Sequence, residues 1–200
     1  MKKLVTRNLN GKKILLLFIL TNIVYAIMLI ITIPKVMNYA GGMKLLDMMP
    51  TGYNAGYVNS LLNALGSEGR NAYLFQQIPI DLIYPFLFGI TYCLLYAFII
   101  KKLNKLNSFL FYFCFIPILA GLFDYLENIG IITLLKGYPE KITTMSRITS
   151  SFSVLKSTLS IIYFVILIIA LLALLTNYIV SRKFKTTNRP HRIVNSGLKF

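Results

Sequence analysis

The chain predicts an all-α polytopic membrane protein: four transmembrane helices, with an extracytoplasmic helical cap between the first and the second. Three observations carry this expectation. Of the 200 residues, 56% are hydrophobic and only 14% charged, against about 25% charged in a soluble domain. With a mean hydropathy of +0.69, that composition excludes a water-soluble globular domain. Four apolar runs are each long enough to cross ~30 Å of hydrocarbon as helices of about 20 residues. Finally, 21 Lys plus Arg face 6 Asp plus Glu, a formal +15, distributed as membrane topology distributes charge rather than as a nucleic-acid surface does. The length excludes most duplicated-repeat transporters.

Residues 1–13 form a basic N-terminus with Lys2, Lys3, Arg7, Lys12 and Lys13. The first span, residues 14–33, is uncharged and closed by Pro34. Val24-Tyr25-Ala26 faintly resembles a signal-peptidase site, but the apolar run continues to Ile33, longer than a signal core, so an uncleaved span is expected. In the loop 34–77, Tyr57, Val58, Leu61, Leu62 and Leu65 fall on one helix face. Asn54 caps its start, Gly66 ends it, and Ser67 caps a second arm leading into the next span. The expectation is a helical hairpin on the outer surface or capping the bundle. An amphipathic helix resting on lipid headgroups, with no ligand beneath it, fits the same pattern. The second span, 78–100, holds Asp81, Tyr84 and Pro85, and a short loop, 101–108, follows. The third span, 109–135, holds Asp124, Glu127 and Asn128. A loop at 136–152 leads to the fourth, 153–181, with Lys156 near its start. The basic tail 182–200, broken by Pro190 and Gly197, is expected to be disordered and drawn to anionic lipid. Within a bilayer the backbone groups of each run must pair internally, which selects helices.

Basic residues orient the spans. Fourteen of the 21 lie in the N-terminus, in 101–108 (Lys101, Lys102, Lys105) and in the tail (Arg182, Lys183, Lys185, Arg189, Arg192, Lys199). The opposite side carries Lys35, Lys44, Arg70, Lys136, Lys141 and Arg147. Both termini are therefore expected in the cytoplasm, with loops 34–77 and 136–152 outside a bacterial cytoplasmic membrane. Abundant Ile, Lys, Asn and Tyr without Trp hint at an AT-rich, low-GC bacterial genome.

Cys93 and Cys114 lie in apolar runs and read as buried thiols. The single histidine, His191, sits in the basic tail, so neither a His/Cys zinc site nor a His-based triad is expected. Gly-rich phosphate loops are lacking too, and no cofactor is indicated. What remains is charge inside the spans, which is expensive and marks either a site or structural glue. With the expected topology, Asp81 and Tyr84, then Asp124, Glu127 and Asn128, then Lys156 converge on the outer half of the bundle from three helices. Asp124, Glu127 and Asn128 share one helix face. Three carboxylates against one lysine leave a formal −2, which favours a protonated acid or a bound cation. Oxygen donors suit hard cations, although Lys156 argues against a tight divalent site and no metal is expected. Paired carboxylates also serve as acid and base when their environments differ.

Three functions stay open. A ligand-binding or enzymatic protein would use Asp81, Asp124, Glu127 and Lys156 as candidate catalytic residues beneath the cap. Tyr84 and Asn128 would sit beside the ligand, a small amphipathic or lipid-like molecule. Arg70 and Tyr73 would gate entry, Arg70 suiting an anionic headgroup. A structural or accessory protein would use the same residues only to lock the bundle. An ion or proton conductor would need a polar path onward, for which Thr91, Tyr92, Cys93 and Asn177 make a poor relay. The discriminator between the first two is a cavity beside the carboxylates. The expected partners are the bilayer and anionic lipids at the cytoplasmic face, not nucleic acid; nothing identifies a protein partner.

Leu65-Gly66-Ser67-Glu68-Gly69-Arg70-Asn71-Ala72-Tyr73, Asp81-Leu82-Ile83-Tyr84-Pro85 and Asp124-Tyr125-Leu126-Glu127-Asn128 occur in that order, followed by Lys156. This set of LGxEGRxxY, DxxYP and DxxEN elements resembles a group of small uncharacterised bacterial four-span membrane proteins. The resemblance covers roughly residues 45 to 165 and implies the four-span layout, but no activity. DxxEN superficially resembles acidic motifs of intramembrane prenyltransferases, which have more spans and a second acidic motif missing from this chain.

Overall fold

The computed structural model describes residues 2–140 and 142–187, without the side chains of residues 142 and 181–187. Its regular structure is helical, with no strand among the described residues. A short α1 (Lys2–Arg7) precedes α2 (Gly11–Ile27), which continues through a wide π-type turn, Met28–Thr32, into α3 (Ile33–Tyr39). After residues 40–54, which include the 3₁₀ turn Leu46–Met48, comes α4 (Ala55–Ala72). A second wide turn, Tyr73–Gln77, leads to α5 (Ile78–Asp81) and α6 (Tyr84–Lys102). The 3₁₀ segment Phe109–Phe115 opens α7 (Ile116–Gly137), and α8 (Ile142–Thr187) closes the described chain. Among the described residues four helical runs are long and apolar enough to cross a membrane: Gly11–Tyr39, Ala55–Lys102, Phe109–Gly137 and Thr143–Val180.

The runs differ from the expected boundaries for identifiable reasons. Pro34 does not end the first helix at residue 33. Lacking an N–H and crowding the carbonyl four residues back, it is absorbed by the wide turn Met28–Thr32 just before it. Pro79 does the same after Tyr73–Gln77, so the 34–77 loop is irregular only over residues 40–54. Pro117 near the start of α7 follows a 3₁₀ segment, so the expected third span begins as a tighter helix. The expected loop 136–152 is much shorter, because α7 runs to Gly137 and α8 starts at Ile142. At the other end α8 runs to Thr187, so the first six residues of the tail expected to be disordered are helical. Residues 188–200, with Arg189, Pro190, His191, Arg192, Gly197 and Lys199, lie outside the described residues, as do the side chains of Arg182, Lys183 and Lys185.

α8 packs along α7, α7 on α6, and α6 on α2. The core has two parts. One, around Phe88, Tyr92, Cys93, Tyr96, Phe111, Cys114 and Tyr163, fills the end of the bundle near Lys102 and holds both thiols free and buried. The N-terminal segment reaches this end too: Lys2 Nζ lies 3.1 Å from Asn107 Oδ1. The other part gathers Met28, Ile33, Val36, Leu45, Leu46, Ile131 and Leu134 against Val58, Leu61, Leu62 and Leu65 of α4. The apolar face of α4 therefore lies inside the protein; Tyr57, at its margin, donates its hydroxyl to Lys44 O at 2.8 Å. Asn54 Oδ1 caps α4 by accepting from Tyr57 N at 2.8 Å. At Gly66 the helix bends through φ 60°, ψ −171°, a left-handed φ that a Cβ would oppose.

Candidate functional site

Local chain chemistry first shapes the second span around Asp81. Pro85 cannot donate to the carbonyl four residues back, which is that of Asp81, and the helix breaks at residues 82–83 between α5 and α6. Asn128 Nδ2 donates to the freed Asp81 carbonyl at 3.5 Å, and Tyr125 Oη donates to Leu82 O at 2.8 Å. The DxxYP and DxxEN elements are thus two halves of one joint, a proline-broken helix and the side chains that satisfy its loose carbonyls.

Lys156 of α8 reaches the acids of α7, its Nζ 3.1 Å from Asp124 Oδ1 and 2.5 Å from Glu127 Oε2. Ser153 Oγ donates to the other Glu127 oxygen, Oε1. Glu127 and Asn128 are fully buried. The Tyr53 hydroxyl is buried without a hydrogen-bond partner among the described residues, and that burial holds it above the ordinary tyrosine range.

Beside this lock lies a cavity of ≈ 430 Å³. Asp81, Asp124 and Lys156 line it together with Asp47, which arrives from the loop between α3 and α4. Its other walls are mostly apolar and aromatic: Tyr25, Met28 and Leu29 on the first span, Tyr84 and Phe88 on the second, Ile161 and Phe164 on the fourth, where Ser157 and Ser160 also line it next to Lys156. Tyr25 and Tyr84 stack with centroids 5.3 Å apart, and Phe88 leans on Tyr84 at 5.7 Å.

The expected site residues therefore separate into three groups. Asp81, Tyr84, Asp124 and Lys156 line the cavity. Glu127 and Asn128 stand behind it, engaged with Lys156, Ser153 and the Asp81 backbone. Arg70 and Tyr73 are not at its entry. Arg70 Nη1 donates to Leu62 O at 2.8 Å, and its guanidinium lies over the Tyr138 ring at 4.8 Å. Leu62 lies in the last turn before Gly66, where carbonyls lose their helical partners, so Arg70 serves as a cap across the bend. Tyr73 is fully buried and donates its hydroxyl to Asp47 Oδ1 at 2.7 Å.

Asp47 is the residue that sequence reasoning missed. Gln77 Nε2 holds its second oxygen at 3.1 Å, and Thr32 Oγ1 donates to Gln77 Oε1. Thr32 and Gln77 each end one of the two wide turns, so both proline-induced irregularities converge on Asp47. The available signal was the pairing of Thr32-Ile33-Pro34 with Gln77-Ile78-Pro79, since wide turns recur at functional positions. No family model, curated protein or solved structure matches the chain.

Proposed function

We propose that the protein is a multi-pass membrane protein with both termini cytoplasmic that binds a small amphipathic or lipid-like ligand in this cavity. The observation that supports it is the cavity itself. Its ≈ 430 Å³ lies directly beside Asp81, Asp124 and Lys156 and falls in the range of ~300–1,000 Å³ usual for small-molecule sites. A cluster that only tied helices together would be packed shut. The lining combines the polar side chains of Asp47, Asp81, Asp124, Lys156, Ser157 and Ser160 with aromatic and aliphatic ones, the mixture an amphiphile requires.

The basic residues of the N-terminus, of 101–108 and of the tail orient the cavity toward the outer leaflet and hold anionic lipid at the cytoplasmic face. Leu29 and Ile161, both lining the cavity, are 41% and 63% exposed. In a bilayer they would meet acyl chains, giving a ligand tail a lateral way in. The structural alternative is favoured for Glu127, which is fully buried, held by Ser153 and Lys156, and ties α7 to α8. Against conduction stands the aromatic layer of Phe88, Tyr92, Tyr163 and Phe164, in mutual ring contact next to the cavity.

The test is native mass spectrometry with lipid analysis of the protein purified in a mild non-ionic detergent. Wild type is compared with Ser157→Phe, which places a ring on the cavity wall and leaves the Lys156 lock intact. A defined passenger present on wild type and lost from a stable Ser157→Phe protein is the expected result. Equal occupancy in both, or none in either, would count against the reading.

A further inference from the structure

We infer that the cavity selects a cationic head, an organic ammonium group on an apolar chain, held by the carboxylate of Asp81 with Asp47 beside it and by the rings of Tyr25 and Tyr84. The inference rests on the binding reading above and adds the charge class of the ligand.

The protein leaves negative charge at this cavity unmatched. Asp81 stands in the field of Asp47, Asp124 and Glu127, with Lys156 as the opposing charge. That lysine already engages both Asp124 and Glu127. Arg70, expected at the entry, is instead engaged with Leu62 O and the Tyr138 ring. Asp47 is held by Tyr73 and Gln77, donors that carry no charge, so its negative charge is solvated but not neutralised. Asp81 is 3% exposed, lines the cavity, and its Oδ2 has no hydrogen-bond partner among the described residues. A buried carboxylate without a counter-charge of its own is costly, and a cation seated in the cavity that Asp81 lines supplies that charge.

The walls say which kind of cation. Among the described residues no three His, Cys, Asp or Glu side chains come together to hold a metal ion. Tyr25, Tyr84 and Phe88 instead offer stacked aromatic surface on the cavity wall, which attracts ammonium groups through the ring quadrupole. An anionic head would meet Asp47, Asp81 and Asp124 with only a lysine already shared between two acids, a repulsion that selects against it.

The chain has no tryptophan, so Ile161→Trp on the exposed cavity wall provides a single fluorescent reporter. The full-length reporter protein in non-ionic maltoside detergent is titrated with octyltrimethylammonium and octyl sulfate below their micelle concentrations and with octanol below its solubility limit. Saturable binding of the ammonium at least tenfold tighter than octanol, with octyl sulfate weaker still, is expected. Adding Asp81→Asn should erase that preference while octanol binding stays within about twofold. Octanol binding as tightly as the ammonium would overturn the charge inference and leave the cavity reading standing, as would a preference for the sulfate. Saturable binding of none of the three would overturn both. A preference that survives Asp81→Asn would also overturn the assignment to Asp81. If that variant does not accumulate, the wild-type ranking of the probes and a loss of the ammonium preference in Tyr84→Leu decide the question.

Discussion

Glu127 is fully buried, and Lys156 supplies the charge that makes its burial tolerable. Replacing one member of a buried ion pair strands the other in low dielectric, at about 3–5 kcal/mol. Lys156→Met should therefore lower stability in detergent by that order, visible as a marked fall in the thermal unfolding midpoint. Asp81→Asn should behave differently, although its carboxylate lines the same cavity. Its Oδ2 has no partner to lose, and Asn128 donates to the backbone of residue 81 rather than to its side chain. Its unfolding midpoint should match wild type to within the equivalent of about 1 kcal/mol, the scale of one net hydrogen bond. Equal losses in the two variants would mean that both residues are glue. From the sequence the two looked alike, each a charge inside an apolar run, because partner identity is set by helices that meet only after folding.

At the scale of elements, prolines placed the irregular backbone. Pro34 and Pro79 each follow a wide turn, Pro85 follows a break, and Pro117 follows a 3₁₀ segment. The loop over residues 40–54 then carries Asp47 to the cavity and is pinned to α8, with Tyr53 N donating to Ser150 Oγ at 2.8 Å. Gly52 makes that approach possible. Its φ is +83°, and a Cβ there would sit 2.6 Å from Ser150 Oγ. Gly52→Ala should cost at least the ~1–2 kcal/mol of a left-handed non-glycine residue and loosen the loop. The check is limited proteolysis of the 40–54 segment, which should speed up in the variant while the spans stay protected. Unchanged proteolysis would show that the loop is seated by something other than this contact. The amphipathic helix of α4 was legible from its apolar spacing and from Asn54 and Gly66, since cap chemistry is local. Its partners were not, and neither was the role of Arg70, whose acceptor is a carbonyl exposed only because the helix bends.

For the whole molecule, the basic residues predict an arrangement that reporter fusions can read. Fusions at both termini should report the cytoplasm, and a single cysteine introduced at Lys44 should label from outside intact cells. A cytoplasmic Lys44 would invert the bundle and turn the cavity toward the other leaflet. The first and fourth spans have only 17% of their most apolar window buried, against 56% for the second. Their exposed faces are where lipid would lie, while the second forms the interior against which the others pack.

Four apolar helices long enough to cross a membrane were written in composition and run length, because apolar run length is a local property and the backbone of any such run must pair within itself in hydrocarbon. The acids that matter were likewise visible as charges in apolar runs. Which of them is locked and which is left free depended on tertiary structure. Lys156 has one charge to share, and only the packing of α8 on α7 gives it to Asp124 and Glu127. Only the loop before α4 adds Asp47 to the cavity, and only the bend at Gly66 takes Arg70 away from it. Charge balance in a site is a sum over elements distant in sequence, and folding is what decides which residues enter that sum.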